Sequence, residues 1–136
     1  MELIFPSFDD SEIKNIKTCL DSGWVTQGPF VEQFEQQVAD VHQVDHAMAT
    51  TSCTAALHLA VLALDVKPSD EVIVPAFTWI TSANCVEYVG AKAVFVDIDP
   101  DTFNVDVELL EAAINENTRG IIAVHLFGLA AEMSRI

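Results

Sequence analysis

The 136-residue sequence predicts an α/β protein: a mostly parallel sheet with helices on both faces. Three observations predict it. From about residue 46, short apolar runs alternate with helix-forming stretches in the order β-α-β-α-β-α-β. The runs are continuously apolar rather than alternating, the pattern of strands buried on both faces. Apolar residues make up 51% of the chain and mean hydropathy is +0.32, enough to fill a core and too apolar for a disordered chain.

The elements follow in order. Asp9, Asp10 and Ser11 offer N-caps for a first helix that carries Ile13, Ile16, Lys17 and Leu20 at helical spacing. Gly23-Trp24-Val25-Thr26-Gln27-Gly28-Pro29 breaks that helix. A second helix is predicted over 30–42, with Val31, Phe34, Val38 and Val41 on one face. Residues 46–50 read as a buried strand, and Thr51-Ser52-Cys53-Thr54 leads into an Ala- and Leu-rich helix over 55–64. A turn at 67–70 precedes a strand over 71–75, which Pro75 stops. A helix over 78–89 ends at Gly90, and a third strand covers 93–97. After a turn at 99–101 come a helix over 107–117 and a fourth strand over 120–125.

Lys and Arg number 6 against 21 Asp and Glu, a net charge of −15. That argues against a general nucleic-acid binder, which needs cations on phosphates, and against recruitment to anionic membranes. No run of about 18 apolar residues suggests a transmembrane helix, and the acidic start lacks the basic region of a secretory signal. The three cysteines, Cys19, Cys53 and Cys85, are too few and too scattered for a disulfide framework or zinc knuckle, so a reducing cytoplasm is expected.

In open parallel sheets, ligands bind beyond the carboxyl ends of the strands. Four segments fall there: 51–54, 75–79, 97–99 and 125–128. Ser52 and Thr54, at a helix start, suit either a phosphate or a simple N-cap. Neither GxxxxGK[ST] nor GxGxxG is present. Trp79 can stack on a planar ring or pack in the core. Asp97 and Asp99 can hold Mg²⁺ or, the favoured reading, serve a turn or cap. His125 is an active-site or a core histidine. Cys53 at a helix N-terminus lacks an evident base that would make it a nucleophile. His42, His46 and His58 show no metal-ligand spacing with a cysteine, so no metal site is expected.

Together these segments resemble the DegT/DnrJ/StrS-type sugar aminotransferases, which depend on pyridoxal 5'-phosphate (PLP). Gly23-Trp24-Val25-Thr26-Gln27-Gly28-Pro29 resembles the family's substrate loop, and Thr51-Ser52-Cys53-Thr54-Ala55-Ala56-Leu57 its phosphate-binding turn. The run from Asp70 to Trp79 resembles its next strand and cofactor-stacking aromatic. The stretches from Gly90 to Phe103 and from Val124 to Gly128 match in order and spacing. The resemblance implies the first part of a fold-type I, aspartate aminotransferase-like large domain. Residues 1–45 would form a helical segment with the substrate loop, and 46–136 the beginning of the PLP-binding domain.

By the same resemblance, Ser52, Cys53, Thr54 and Ala55 hold the PLP phosphate and Trp79 stacks on the pyridine ring. Trp24, Val25 and Thr26 border a nucleotide-sugar pocket, and His125 lies close to it. The implied reaction moves an amino group from glutamate to a nucleotide-linked keto-sugar, in a homodimer. The family's Schiff-base lysine matches none of Lys14, Lys17, Lys67 or Lys92. The chain is therefore expected to be the N-terminal part of a longer enzyme and inactive alone, with an open sheet edge covered by rearrangement or self-association. The alternatives are a dehydratase of the same family, in which histidine replaces the lysine, and a non-catalytic α/β module that binds a phosphorylated ligand or a partner. A Mg²⁺-dependent protein using Asp97 and Asp99 is a more distant one.

Overall fold

A computed structural model describes residues 6–136, and these fall into two compact units, 6–49 and 50–136. In the first unit, helix α1 (Asp10–Ser22) begins at Asp9. The Asp9 carboxylate accepts from the Ser11 N–H (2.7 Å), and the Glu12 carboxylate accepts from the Asp9 N–H (2.8 Å). This reciprocal arrangement satisfies N–H groups that have no intrahelical partner. Gly23 ends the helix at φ 71°, a left-handed conformation that glycine adopts without penalty. Helix α2 (Pro29–His42) starts with proline in its first turn, where the missing N–H costs nothing.

The second unit is built on three parallel strands, β1 (Glu71–Pro75), β2 (Lys92–Val96) and β3 (Thr118–Ile121), in the order β2-β1-β3. Between them run α3 (Cys53–Ala63), α4 (Thr81–Glu87) and α5 (Val107–Ala113). The central strand explains the layering. Val72 and Val74 pack with Val61, Cys85 and Val86 of α3 and α4. Ile73, pointing the opposite way as strand alternation requires, packs with Val105 and with Leu110 of α5. Both faces are therefore covered by helices, as the sequence predicts. Ile73, Val74 and Val86 are fully buried, each worth roughly 1.5–3 kcal/mol of transfer free energy.

Several boundaries differ from expectation. Residues 46–50 form no strand. A ladder needs a neighbour, and none of the described strands pairs with this segment; the Ala49 N–H instead donates to the Glu35 carboxylate (2.8 Å). The last strand lies at Thr118–Ile121, not 120–125. Alternate residues of β1 bond to opposite neighbours, with the Glu71 N–H and the Ile73 carbonyl serving the β3 side through Asn117 and Ile122. The next donor on that side would be Pro75, which has no N–H, so the ladder stops. On the other side the Ala76 N–H still reaches the Val96 carbonyl (2.8 Å). Strand β2 is shifted one residue earlier than predicted, leaving Asp97 just beyond its end.

Helix α3 starts two residues earlier than predicted because Ser52 itself is the cap. Helix α4 is shorter than the predicted 78–89, because Phe77 to Trp79 form the strand-to-helix connection. Helix α5 stops at Ala113 rather than 117. There the Asn115 side chain accepts from the Asn117 N–H (2.8 Å) and the Thr118 hydroxyl accepts from the Asn115 N–H (3.0 Å). Such local side-chain bonds compete with helix continuation.

Candidate functional site

Ser52 sits in extended backbone at the start of α3, and its hydroxyl oxygen accepts from the Ala55 N–H (3.2 Å). Its carbonyl accepts from the Ala56 N–H (3.0 Å). The Cys53 and Thr54 N–H groups find no acceptor among the described residues. They carry the partial positive charge of the helix N-terminus, which favours an anion. Ser52 is thus an N-cap, yet two donors and the Thr54 hydroxyl stay uncommitted among the described residues. The Ala55 N–H is already spent on Ser52.

Cys53 and Thr54 line a cavity of about 540 Å³ with Thr78, Trp79, Ser82 and His125. Among the described residues, no lysine, arginine or carboxylate lines it. Trp79 follows β1 and is 77% exposed, so it does not pack in the core. His125 follows β3, and its Nδ1 accepts from the Ala131 N–H (3.1 Å). Because that bond uses Nδ1 as acceptor, the neutral ring carries its proton on Nε2. The segments after β1 and β3 and the start of α3 thus meet where the strand-end rule places a ligand.

The sequence assigns no separate role to Thr78, within the 75–79 segment, and does not point to Ser82; their hydroxyls lie 2.9 Å apart. The two hydroxyls carry a weak signal, since they flank a strand-to-helix junction. A cluster of Phe77 with Phe103 (5.8 Å between ring centroids) and Phe127 (6.5 Å) joins the segments after the three strands. Asp99 serves a turn: its carboxylate accepts from the Asp101 (2.8 Å) and Thr102 (3.0 Å) N–H groups, which hold it below the usual carboxylate range. The Asp97 carboxylate accepts from the Ile98 N–H (2.8 Å). Burial pushes the Cys85 thiol up, whereas Cys53 is exposed.

Trp24 and Thr26 belong to the first unit. They line an apolar cavity of about 280 Å³ with Pro29 and Phe30. The Trp24 indole N–H donates to the Gln27 carbonyl, and the ring lies so close to Gly28 that a Cβ there would overlap it. Val25 is exposed and outside the lining.

A parallel sheet covered on both faces, with a helix N-terminus, an indole and an imidazole gathered beyond its strands, is here the first part of a fold-type I PLP-dependent transferase large domain. The chain belongs to the DegT/DnrJ/EryC1/StrS aminotransferase family, whose model matches residues 6–136. It is 46% identical over 132 residues to the GDP-perosamine synthase of Caulobacter vibrioides, covering 96% of this chain and 36% of that protein. Among solved structures it resembles the PMP-form of the sugar aminotransferase Spr1654 from Streptococcus pneumoniae, with 42% identity and a TM-score of 0.89 over 96% of this chain and 33% of that one. It also resembles a GDP-4-keto-6-deoxymannose-3-dehydratase, with 34% identity and a TM-score of 0.92 over 98% of this chain and 36% of that one. The chain spans about a third of the length of the curated relatives it matches.

Proposed function

We propose that this chain supplies the phosphate- and ring-binding part of the PLP site in an aminotransferase that moves an amino group from glutamate to a nucleotide-linked keto-sugar. The observation that carries this reading is the pair of uncommitted N–H groups at Cys53 and Thr54, in one cavity with the exposed Trp79. The residues present fit the group: neutral donors and a helix N-terminus suit a phosphate, and a free indole suits a planar ring. PLP, when bound, supplies a conjugated electron sink.

The protein's part is to hold and orient. Cys53 and Thr54 donate N–H groups to the phosphate, the Ser52 and Thr54 hydroxyls add donors, and Ala55 keeps Ser52 in place. Trp79 covers one face of the ring and excludes water. His125 lines the site with its Nδ1 engaged by the Ala131 N–H, which leaves Nε2 as the ring's donor. Trp24, Val25 and Thr26 border the sugar-nucleotide pocket. Residues 1–45 are assigned to this substrate segment and 46–136 to the PLP-binding domain. The short-range donors work against the long-range repulsion that a charge of −15 exerts on anions. Among the described residues no lysine lines the cavity, and the role assigned to the 136-residue chain is cofactor binding rather than amino transfer by itself.

The dehydratase relative matches the same portion of the fold equally well, so the choice of amino transfer rests on the 46% identity to a perosamine synthase. We assign the assembly to a cytoplasmic homodimer; no helix among the described residues is long and apolar enough to cross a membrane. The test is a titration of the full chain with PLP and, separately, with inorganic phosphate. Thr54→Ala should weaken both ligands about tenfold, the equivalent of about 1.4 kcal/mol. Trp79→Ala should weaken PLP and leave phosphate untouched. Wild-type affinity for PLP in both variants refutes the assignment.

A further inference from the structure

We infer that Asn104, which does not line the cavity, is the positioning residue that fixes which nitrogen of His125 is available there. Asn104 is only 6% exposed, and its side chain makes a fork. Its Oδ1 accepts from the Leu126 N–H (3.0 Å), and its Nδ2 donates to the Leu129 carbonyl (3.1 Å). One amide thereby grips both ends of the turn Leu126–Gly128, which closes on itself through the Leu129 N–H and the Leu126 carbonyl (3.0 Å).

That turn needs an external grip. Phe127 stands at φ 51°, a left-handed conformation that strains a residue with a bulky side chain. Gly128 beside it, at φ 87°, takes such a conformation without strain. The two residues that set the imidazole lie just outside the grip. His125 directly precedes Leu126, and Ala131, whose N–H donates to Nδ1, follows Leu129 by two residues and is buried. With both ends of the turn fixed, the Ala131 N–H meets Nδ1, and Nε2 is left as the ring's donor. A buried amide whose two bonds both go to one turn stabilises that turn specifically, because either group left unpaired costs its full desolvation.

The inference rests on the proposed cofactor site for what Nε2 does, but the state of the ring is readable without any cofactor. The experiment records long-range ¹H–¹⁵N correlations of the His125 ring in the full chain at about pH 9, where an ordinary imidazole is neutral. Wild type should show a single Nε2–H tautomer. Asn104→Ala should show a mixture of tautomers, and Asn104→Asp, which keeps the acceptor for Leu126 but loses the donor to Leu129, an intermediate shift. Val105→Ala is the control: it thins the adjacent core and leaves the fork intact, so its His125 should match wild type. PLP titrations run alongside should show several-fold weaker binding for Asn104→Ala than for Val105→Ala.

A mixed or Nδ1–H tautomer in wild type overturns the inference, and this holds even if Asn104→Ala does not fold. A pure Nε2–H tautomer in Asn104→Ala also overturns it and leaves Asn104 a purely structural residue. Should wild type fail to bind PLP while the tautomers behave as stated, the positioning role stands and the cofactor assignment falls.

Discussion

Replacing Ser52 separates two tasks of one hydroxyl. Its oxygen accepts from the Ala55 N–H at 3.2 Å, an N-cap bond, while its proton has no acceptor among the described residues and is free for a phosphate. Losing the cap to alanine costs about 1 kcal/mol, whereas glycine at an N-cap costs only a few tenths. For a chain of 136 residues the alanine cost corresponds to a fall in Tm of roughly 3–5 °C. A hydrogen bond to a charged group is worth about 1.5–3 kcal/mol, so losing the donated proton should weaken PLP about 10- to 150-fold. Ser52→Ala and Ser52→Gly both remove the donor and the cap bond to Ala55, but glycine is itself well tolerated at an N-cap, so only Ser52→Ala carries the full cost. Thermal denaturation and calorimetric titration with PLP should therefore find equal weakening in both variants and a clear loss of stability in alanine alone. PLP affinity within twofold of wild type in both variants would falsify the phosphate role. Equal destabilisation of the two would sink the cap reasoning instead.

Glu71 accepts from the Asn115 amide and pairs with Lys92 (each 2.7 Å), which together hold its carboxyl below the ordinary value of 4.5. Its contribution is present above that value and is lost as pH falls through the lowered one, so the stability gap between wild type and Glu71→Gln should shrink from pH 7 to about pH 3; a constant gap by denaturant titration contradicts this. A thiol reagent should label exposed Cys53 well before buried Cys85, and PLP should slow labelling of Cys53; equal rates with and without PLP place Cys53 outside the site. In Gly28→Ala, the new Cβ should displace the Trp24 indole from the Gln27 carbonyl, moving the Trp24 indole N–H resonance while that of Trp79 stays; an unmoved Trp24 signal shows that the ring does not lie over Gly28.

Local chemistry made much of the architecture legible. Gly23 and Pro29 mark where α1 ends and α2 begins, through a left-handed cap and a missing N–H. The run Glu71-Val72-Ile73-Val74-Pro75 reads as a doubly buried strand because both sets of alternate side chains are apolar, and it is the central strand. The family motifs carried the fold further than periodicity alone, since they link segments far apart in sequence.

Where a fact depends on a neighbour, the sequence is silent. Residues 46–50 have strand-like composition and form no strand, because a ladder belongs to two segments and composition to one. The end of β3 is set by Pro75 in the strand beside it. Nothing around Asn104 in sequence announces that its amide grips Leu126 and Leu129. Trp79, ambiguous as a letter, is exposed because of how the connection after β1 leaves the sheet. Sequence by itself determined the presence and order of the helices, the central strand and the residue types able to hold an anion, since caps, apolar runs and backbone donors act over a few residues. Only the tertiary structure decided which of those residues share a cavity and which polar groups stay uncommitted, because hydrogen-bond partners and burial are properties of what the chain brings alongside.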